Sequence, residues 1–124
     1  MSEMRVLIVD DEEDMRLLLR VLINNEDRGL RVVGEATNGE EAIALRSDVT
    51  PDIVVLDYRM PGLSGLDTAR SLLEDEPDLP IVLYSAFIDE AVSDEADRIG
   101  VRRCVNKGDV TGLVRALREL TAAS

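Results

Sequence analysis

The feature that most limits what this chain can fold into is a set of short apolar runs, each the length of a strand, separated by helical patterns. Val6-Leu7-Ile8-Val9, Ile53-Val54-Val55-Leu56 and Ile81-Val82-Leu83-Tyr84 are apolar on both alternating faces. Such a strand must be covered above and below, the condition of a central strand in a parallel sheet. Between the runs, apolar residues recur at the spacing of a helix with one buried face. Asp14 offers a cap for a first helix with Met15, Leu18, Leu19, Leu22 and Ile23 inward, ended by Arg28-Gly29. Leu30–Ala36 alternates more and reads as an edge strand. Asn38-Gly39 turns the chain into a short helix, Glu40–Ser47, with Ala42 and Leu45 inward. Leu66, Ala69, Leu72 and Leu73 mark a third helix. Ile88, Ala91, Val92, Ala96 and Ile99 mark a fourth, closed by Gly100, and Leu113, Leu117 and Leu120 the last. With Arg103–Asn106 as a fifth strand, the 124 residues predict one α/β domain, a doubly wound sheet with helices on both sides.

What ends the strands is as informative as the strands. Asp10 and Asp11 close the first run, Asp57 the run before Tyr58, Ser85 the run after Ile81, and Lys107 follows Cys104-Val105-Asn106. Parallel α/β sheets place their chemistry at the carboxyl ends of their strands. The 26 acidic residues against 14 basic give a net charge of −12, which makes direct nucleic-acid binding by this domain a poor expectation. The absence of histidine removes His-based triads and zinc sites, leaving carboxylate, hydroxyl and lysine chemistry. No apolar run reaches membrane-spanning length and no signal peptide precedes the first strand, so a cytoplasmic location without membrane contact is expected. The single cysteine, Cys104, has no internal disulfide partner and reads as a small buried core residue. Asp89, Glu90, Asp94, Glu95 and Asp97 form a solvated acidic face on the fourth helix.

Three carboxylates on one rim suit a hard divalent cation, which takes one or two of them together with waters and a substrate phosphate. Asp11 and Asp57 would ligate directly, Asp10 would hold a bound water, and a backbone carbonyl after Asp57 would complete the set. Asp10 and Asp11 also read as N-cap residues before Glu12-Glu13, and either alone fits both roles. Crowded like charges are harder to explain without a cation. Asp57 is placed to attack phosphorus as a nucleophile, Lys107 to pair with phosphoryl oxygens, and Ser85 to donate a hydrogen bond to one of them.

The runs Val6-Leu7-Ile8-Val9-Asp10-Asp11-Glu12 and Asp52–Gly65, with Ser85-Ala86 and Lys107, resemble the receiver domain of two-component response regulators over essentially the whole chain, residues 1–124. The resemblance implies a flavodoxin-like (βα)5 fold with a parallel five-stranded sheet of order 2-1-3-4-5. It implies Asp57 as phosphoacceptor, Asp10 and Asp11 as the acidic pair holding Mg2+ (or Mn2+), and Arg59 as the source of the backbone carbonyl. Ser85 and Ala86 match the hydroxyl and small residue beside the phosphoryl group, and Lys107 the phosphate-pairing lysine. The implied partner is a sensor histidine kinase or phosphotransfer protein. By the same resemblance, the chain would catalyse only its own phosphorylation and slower hydrolysis. Members of that family signal through the fourth helix, fifth strand and fifth helix, often as a homodimer, and the resemblance implies the same face here. Arg98, Arg102, Arg103, Arg115 and Arg118 lie in or near that face.

Two positions depart from the family pattern. Cys104 stands where an aromatic usually follows the moving hydroxyl, so a phosphorylation signal is expected to pass through Ser85 and Phe87 into the fourth helix by another route. Gly108 replaces a usual proline. The sequence after Lys107-Gly108-Asp109 is similar to receivers attached to helix-turn-helix transcription factors. The main alternative is a receiver that binds partners without being phosphorylated. A phosphatase of the haloacid dehalogenase type would need a second acid where Arg59 stands. A flavin or nucleotide carrier would need a phosphate-cradling loop where Asp11-Glu12-Glu13 would repel phosphate.

Overall fold

The computed structural model describes residues 3–25, 29–86 and 88–122. Five strands, β1 (Met4–Val9), β2 (Leu30–Ala36), β3 (Ile53–Leu56), β4 (Ile81–Ser85) and β5 (Arg103–Asn106), alternate with five helices. The helices are α1 (Glu13–Asn24), α2 (Gly39–Val49), α3 (Gly65–Asp75), α4 (Glu90–Ile99) and α5 (Val110–Ala122). The strands form one parallel sheet in the order β2-β1-β3-β4-β5. The expected doubly wound topology is therefore observed, with β1, β3 and β4 inside and β2 and β5 at the edges.

The period-two alternation of the strands divides the core. Leu7, Val9, Val54, Leu56, Ile81 and Leu83 face one side, against Ala42, Leu66, Ala69, Leu72 and Ala96 of α2, α3 and α4. Val6, Ile8, Ile53, Val55, Val82 and Tyr84 face the other, against Leu19, Ile23, Leu113 and Leu117 of α1 and α5. Each of these large apolar side chains contributes about 1.5–3 kcal/mol on burial, so the sheet is held mainly by its three inner strands.

Several local expectations are corrected. The N-cap of α1 is Glu12 rather than Asp14, and no side chain caps that end. Leu18 is 43% exposed, because α1 buries Leu19 and Ile23 and turns Leu17, Leu18 and Val21 to solvent. The chain reaches helical geometry earlier than expected at α2, where the Asn38 side chain accepts from Glu41 N–H, and runs on to Val49 before Thr50 takes a left-handed conformation. Ile88 precedes α4, whose N-cap is Asp89, and Ala91 faces solvent because α4 meets the core only through Val92, Ala96 and Ile99. Cys104 is half-buried rather than fully buried, since β5 is an edge strand. Arg28 and Phe87 lie outside the described residues; Gly29, at φ +76°, does end the connection into β2.

Candidate functional site

The strand ladder continues one residue beyond the ends of β1, β3 and β5, and the extra residues are the charged ones. Asp10 N–H donates to the Ala36 carbonyl at 3.0 Å, Asp57 N–H to Val9 at 2.9 Å, and Lys107 N–H to Ser85 at 2.7 Å. Three functional side chains thus spring from backbone already fixed by the neighbouring strand. Arg16 adds a further anchor, its guanidinium donating to the Asp10 carbonyl at 2.7 Å while pairing with Glu35 of β2. The loop leaving Asp57 is tightened where Gly65 N–H donates to the Tyr58 carbonyl at 2.8 Å. A Cβ at Gly65 would stand 2.3 Å from the Asp57 carbonyl oxygen, so only glycine lets α3 begin this close to the site.

These anchors bring Asp10, Asp11, Asp57, Ser85 and Lys107 to one rim. Asp10, Asp57 and Ser85 are buried, Lys107 is partly buried and Asp11 is exposed. The Lys107 ammonium lies 3.0 Å from Asp10 Oδ2, 3.1 Å from Asp57 Oδ2 and 3.0 Å from Glu12 Oε1. The Ser85 hydroxyl lies beside the Asp57 carboxylate and favours its charged form. Ala86 follows as an exposed residue just past β4, and Arg59 is exposed in the loop after Asp57.

The electrostatics follow from one cation serving three carboxylates. Burial pushes the Asp57 carboxyl above its ordinary range and Asp10 adds to the rise, while Lys107 and Ser85 pull it down. Burial works against the charge of Lys107, but Glu12, Asp10 and Asp57 outweigh it and hold the ammonium above its ordinary value. The lysine collects three attractions where each acid receives a share of one. Negative charge is therefore left in excess.

Carboxylate oxygens of Asp10, Asp11 and Asp57 lie within 4.8 Å of one another. Hard oxygen donors, excess negative charge and a solvent-facing side at Asp11 fit a divalent cation of the magnesium class, which keeps several waters and takes few carboxylates. Every sequence-identified side chain that was to touch the metal or the phosphoryl group is on this rim, and Ala86 and Arg59 lie in the loops bordering it.

Glu12 is the residue sequence reasoning passed over. It stands inside the acidic run Asp10–Asp14, where it looks like helix-start charge, and its partner Lys107 is 95 residues away. One signal was available: Lys107 is the only lysine in the chain, so whichever acids it meets share the site's one ammonium.

Gly108 has its explanation in the backbone. It adopts φ +98°, which the proline ring cannot reach, and its N–H donates to the Tyr84 hydroxyl at 3.3 Å, a donor proline lacks. No cis peptide bond occurs among the described residues.

The family model for the response regulator receiver domain matches residues 6–118. The chain is 38% identical over 103 residues to the chemotaxis protein CheY of Thermotoga maritima, covering 83% of this chain and 84% of that protein. It is 33% identical to the response regulator GacA of Pseudomonas aeruginosa, where it covers 95% of itself but 55% of GacA. Among solved structures, a two-component response regulator of the LuxR family from Aurantimonas superposes with a TM-score of 0.91 at 32% identity, over 98% of this chain and 87% of that one. The receiver domain of a NarL-type regulator from Mycobacterium tuberculosis superposes at 0.90 with 28% identity over the full length of both.

Proposed function

The chain belongs to the response regulator receiver domain family, and from that premise we propose that Asp57 takes up a phosphoryl group from the phosphohistidine of a sensor histidine kinase or phosphotransfer protein. The observation that carries this reading is the meeting of the Asp57 carboxylate with both Lys107 and Ser85 at the end of an inner strand. In the step, an Asp57 carboxylate oxygen attacks phosphorus, the P–N bond breaks, and the imidazole leaves with the bonding pair. Lys107 offsets charge on the phosphoryl oxygens, and Ser85 and the backbone at Ala86 receive the group. Asp10, Asp11, Asp57 and the Arg59 carbonyl would hold Mg2+ or Mn2+, which supplies further neutralisation of the transferring charge. The chain acts on no other substrate; its chemistry is confined to gaining and losing its own phosphoryl group.

The donor would approach over the rim and α1, where Leu17, Leu18 and Val21 are 50%, 43% and 48% exposed. An apolar stripe leading away from the pocket suits a helical partner that must bring a histidine to Asp57. The output surface is α4-β5-α5, with Arg98, Arg102, Arg103, Arg115 and Arg118 on or near it and a homodimer as one product. The chain spans 55% of GacA, which suits the receiver part of a longer regulator, of the helix-turn-helix kind that the sequence after Lys107 resembles. No helix among the described residues is long and apolar enough to cross a membrane, which suits a cytoplasmic signalling role.

Intact mass after incubation with acetyl phosphate and Mg2+ tests the reading. A gain of about 80 Da, one phosphoryl group, is expected in the wild type and not in Asp57→Asn or in EDTA. No gain with the small donor or with any histidine kinase, together with no binding of Mg2+, would favour the phosphorylation-independent interaction module instead.

A further inference from the structure

We propose that Glu12 is the exchangeable partner of Lys107, a positioning residue that competes with the incoming phosphoryl group for the lysine and so sets how readily the pocket fills. The inference rests on the receiver reading and concerns a residue outside the metal- and phosphoryl-binding set described above.

An ammonium has three N–H donors and no acceptor. Lys107 donates to Glu12 at 3.0 Å and Asp57 at 3.1 Å and ion-pairs with Asp10 at 3.0 Å, so three carboxylates crowd its one ammonium. A phosphoryl oxygen can pair with Lys107 only after one of the three lets go. The Asp10 side chain is 2% exposed and accepts the Glu12 N–H at 2.9 Å, and the Asp57 side chain is 4% exposed. Parting the lysine from Asp10 leaves a buried charge short of its partner, which is costly, and the same holds for Asp57 until its oxygen has bonded to phosphorus. The Glu12 side chain is 64% exposed, so water replaces the lysine with little loss. Glu12 is therefore the carboxylate that leaves.

The backbone allows this exchange. The Glu12 N–H stays bonded to the Asp10 carboxylate while its long side chain swings outward, so the acidic pair keeps its place. No second lysine exists in the chain to take over the phosphoryl oxygens, so the state of this one contact governs the whole ammonium.

The test is the affinity for beryllofluoride, a phosphoryl mimic, measured calorimetrically in saturating Mg2+ on the wild type, Glu12→Gln and Glu12→Asp. Glutamine removes the charge. Aspartate keeps the charge but is one carbon, about 1.5 Å, shorter and stops short of Lys107. Both variants are expected to bind the mimic more tightly, by about two- to five-fold, the range of an exposed ion pair. Lysine-selective 13C labelling gives a single side-chain signal, because Lys107 is the only lysine. In both variants without mimic, that signal is expected to move part of the way toward its mimic-bound position. Tighter binding by Glu12→Gln with wild-type behaviour in Glu12→Asp would overturn the proposal in favour of net charge alone. Unchanged affinity and an unmoved lysine signal in both would overturn it outright. A wild type that binds neither Mg2+ nor the mimic would instead bring down the receiver reading, and this inference with it.

Discussion

The ends of β3 and β5 begin from the same material, a four-residue strand running into a charged residue, and end as opposites. Every residue of β3 is buried and it sits between β1 and β4. Of β5 only Val105 is buried; Arg103 and Asn106 are exposed and Cys104 is half-buried at the sheet edge. Asp57 inherits a site with little room to give. Lys107 is carried on a strand paired on one side only. The place where a phosphoryl group would be taken up is thus built hard, and the place from which its arrival would be read is built soft. Local opening free energy follows the same division, since it rises with buried apolar contact.

Paired substitutions at the two ends sharpen this contrast. A first gap is expected between Gly65→Ala and Gly108→Ala. At Gly65 the new Cβ meets the Asp57 carbonyl and Tyr58 backbone, which cannot yield cheaply, and a loss of about 3 kcal/mol is expected. At Gly108 nothing lies within 4 Å and only the positive φ resists, a cost of about 1–2 kcal/mol. Urea unfolding curves measure both, and equal losses would show that the two loops are equally constrained.

A gap of about 2 kcal/mol or more separates Leu56→Ala from Cys104→Ala. The first opens a cavity in a wholly buried strand and should cost about 3 kcal/mol; the second trims a half-buried side chain and should cost about 1 kcal/mol or less. Thermal unfolding followed by circular dichroism would reveal the ranking, and its reversal would place more of the stability at the edge than the burial pattern allows.

The smallest effect concerns the chemistry of Cys104. Burial raises its thiol above the ordinary value, a hydrogen bond with Ser93 opposes this, and Asp97 raises it further. A raised thiol forms thiolate only at higher pH, so alkylation by iodoacetamide at pH 8 should run slower than for a free thiol. Its rate should keep climbing at pH values where a free thiol has levelled off. Labelling as fast as a small-molecule thiol would mean that β5 opens far more readily than its half-burial implies.

What was legible in the sequence follows the same line between centre and edge. β1, β3 and β4 were legible because residues buried on both faces must be apolar throughout, a pattern few other folds leave. Asp10, Asp57 and Lys107 were legible because they interrupt that pattern at its ends. Cys104 was misread because a short apolar run looks alike in a central and an edge strand, and only strand order tells them apart. Leu18 was misread because the apolar stripe of α1 is broader than the face the sheet can cover. Glu12 escaped because its role depends on a contact between the chain's two ends, and nothing in an acidic run says which of its members a distant lysine will choose. Gly108 read as a departure from a family habit, and its reason lay in a dihedral angle and a hydroxyl group on β4.

Lys107 also has a mechanical side. It is rooted at the end of the outermost strand, yet its head is fastened to the ends of β3 and β1, beyond the intervening β4. It works as a strap drawn across the rim of the sheet, pulling the loose edge toward the centre. Whatever loosens the strap at its far end slackens the edge strand, and a local exchange of partners becomes a change in tension along one side of the molecule.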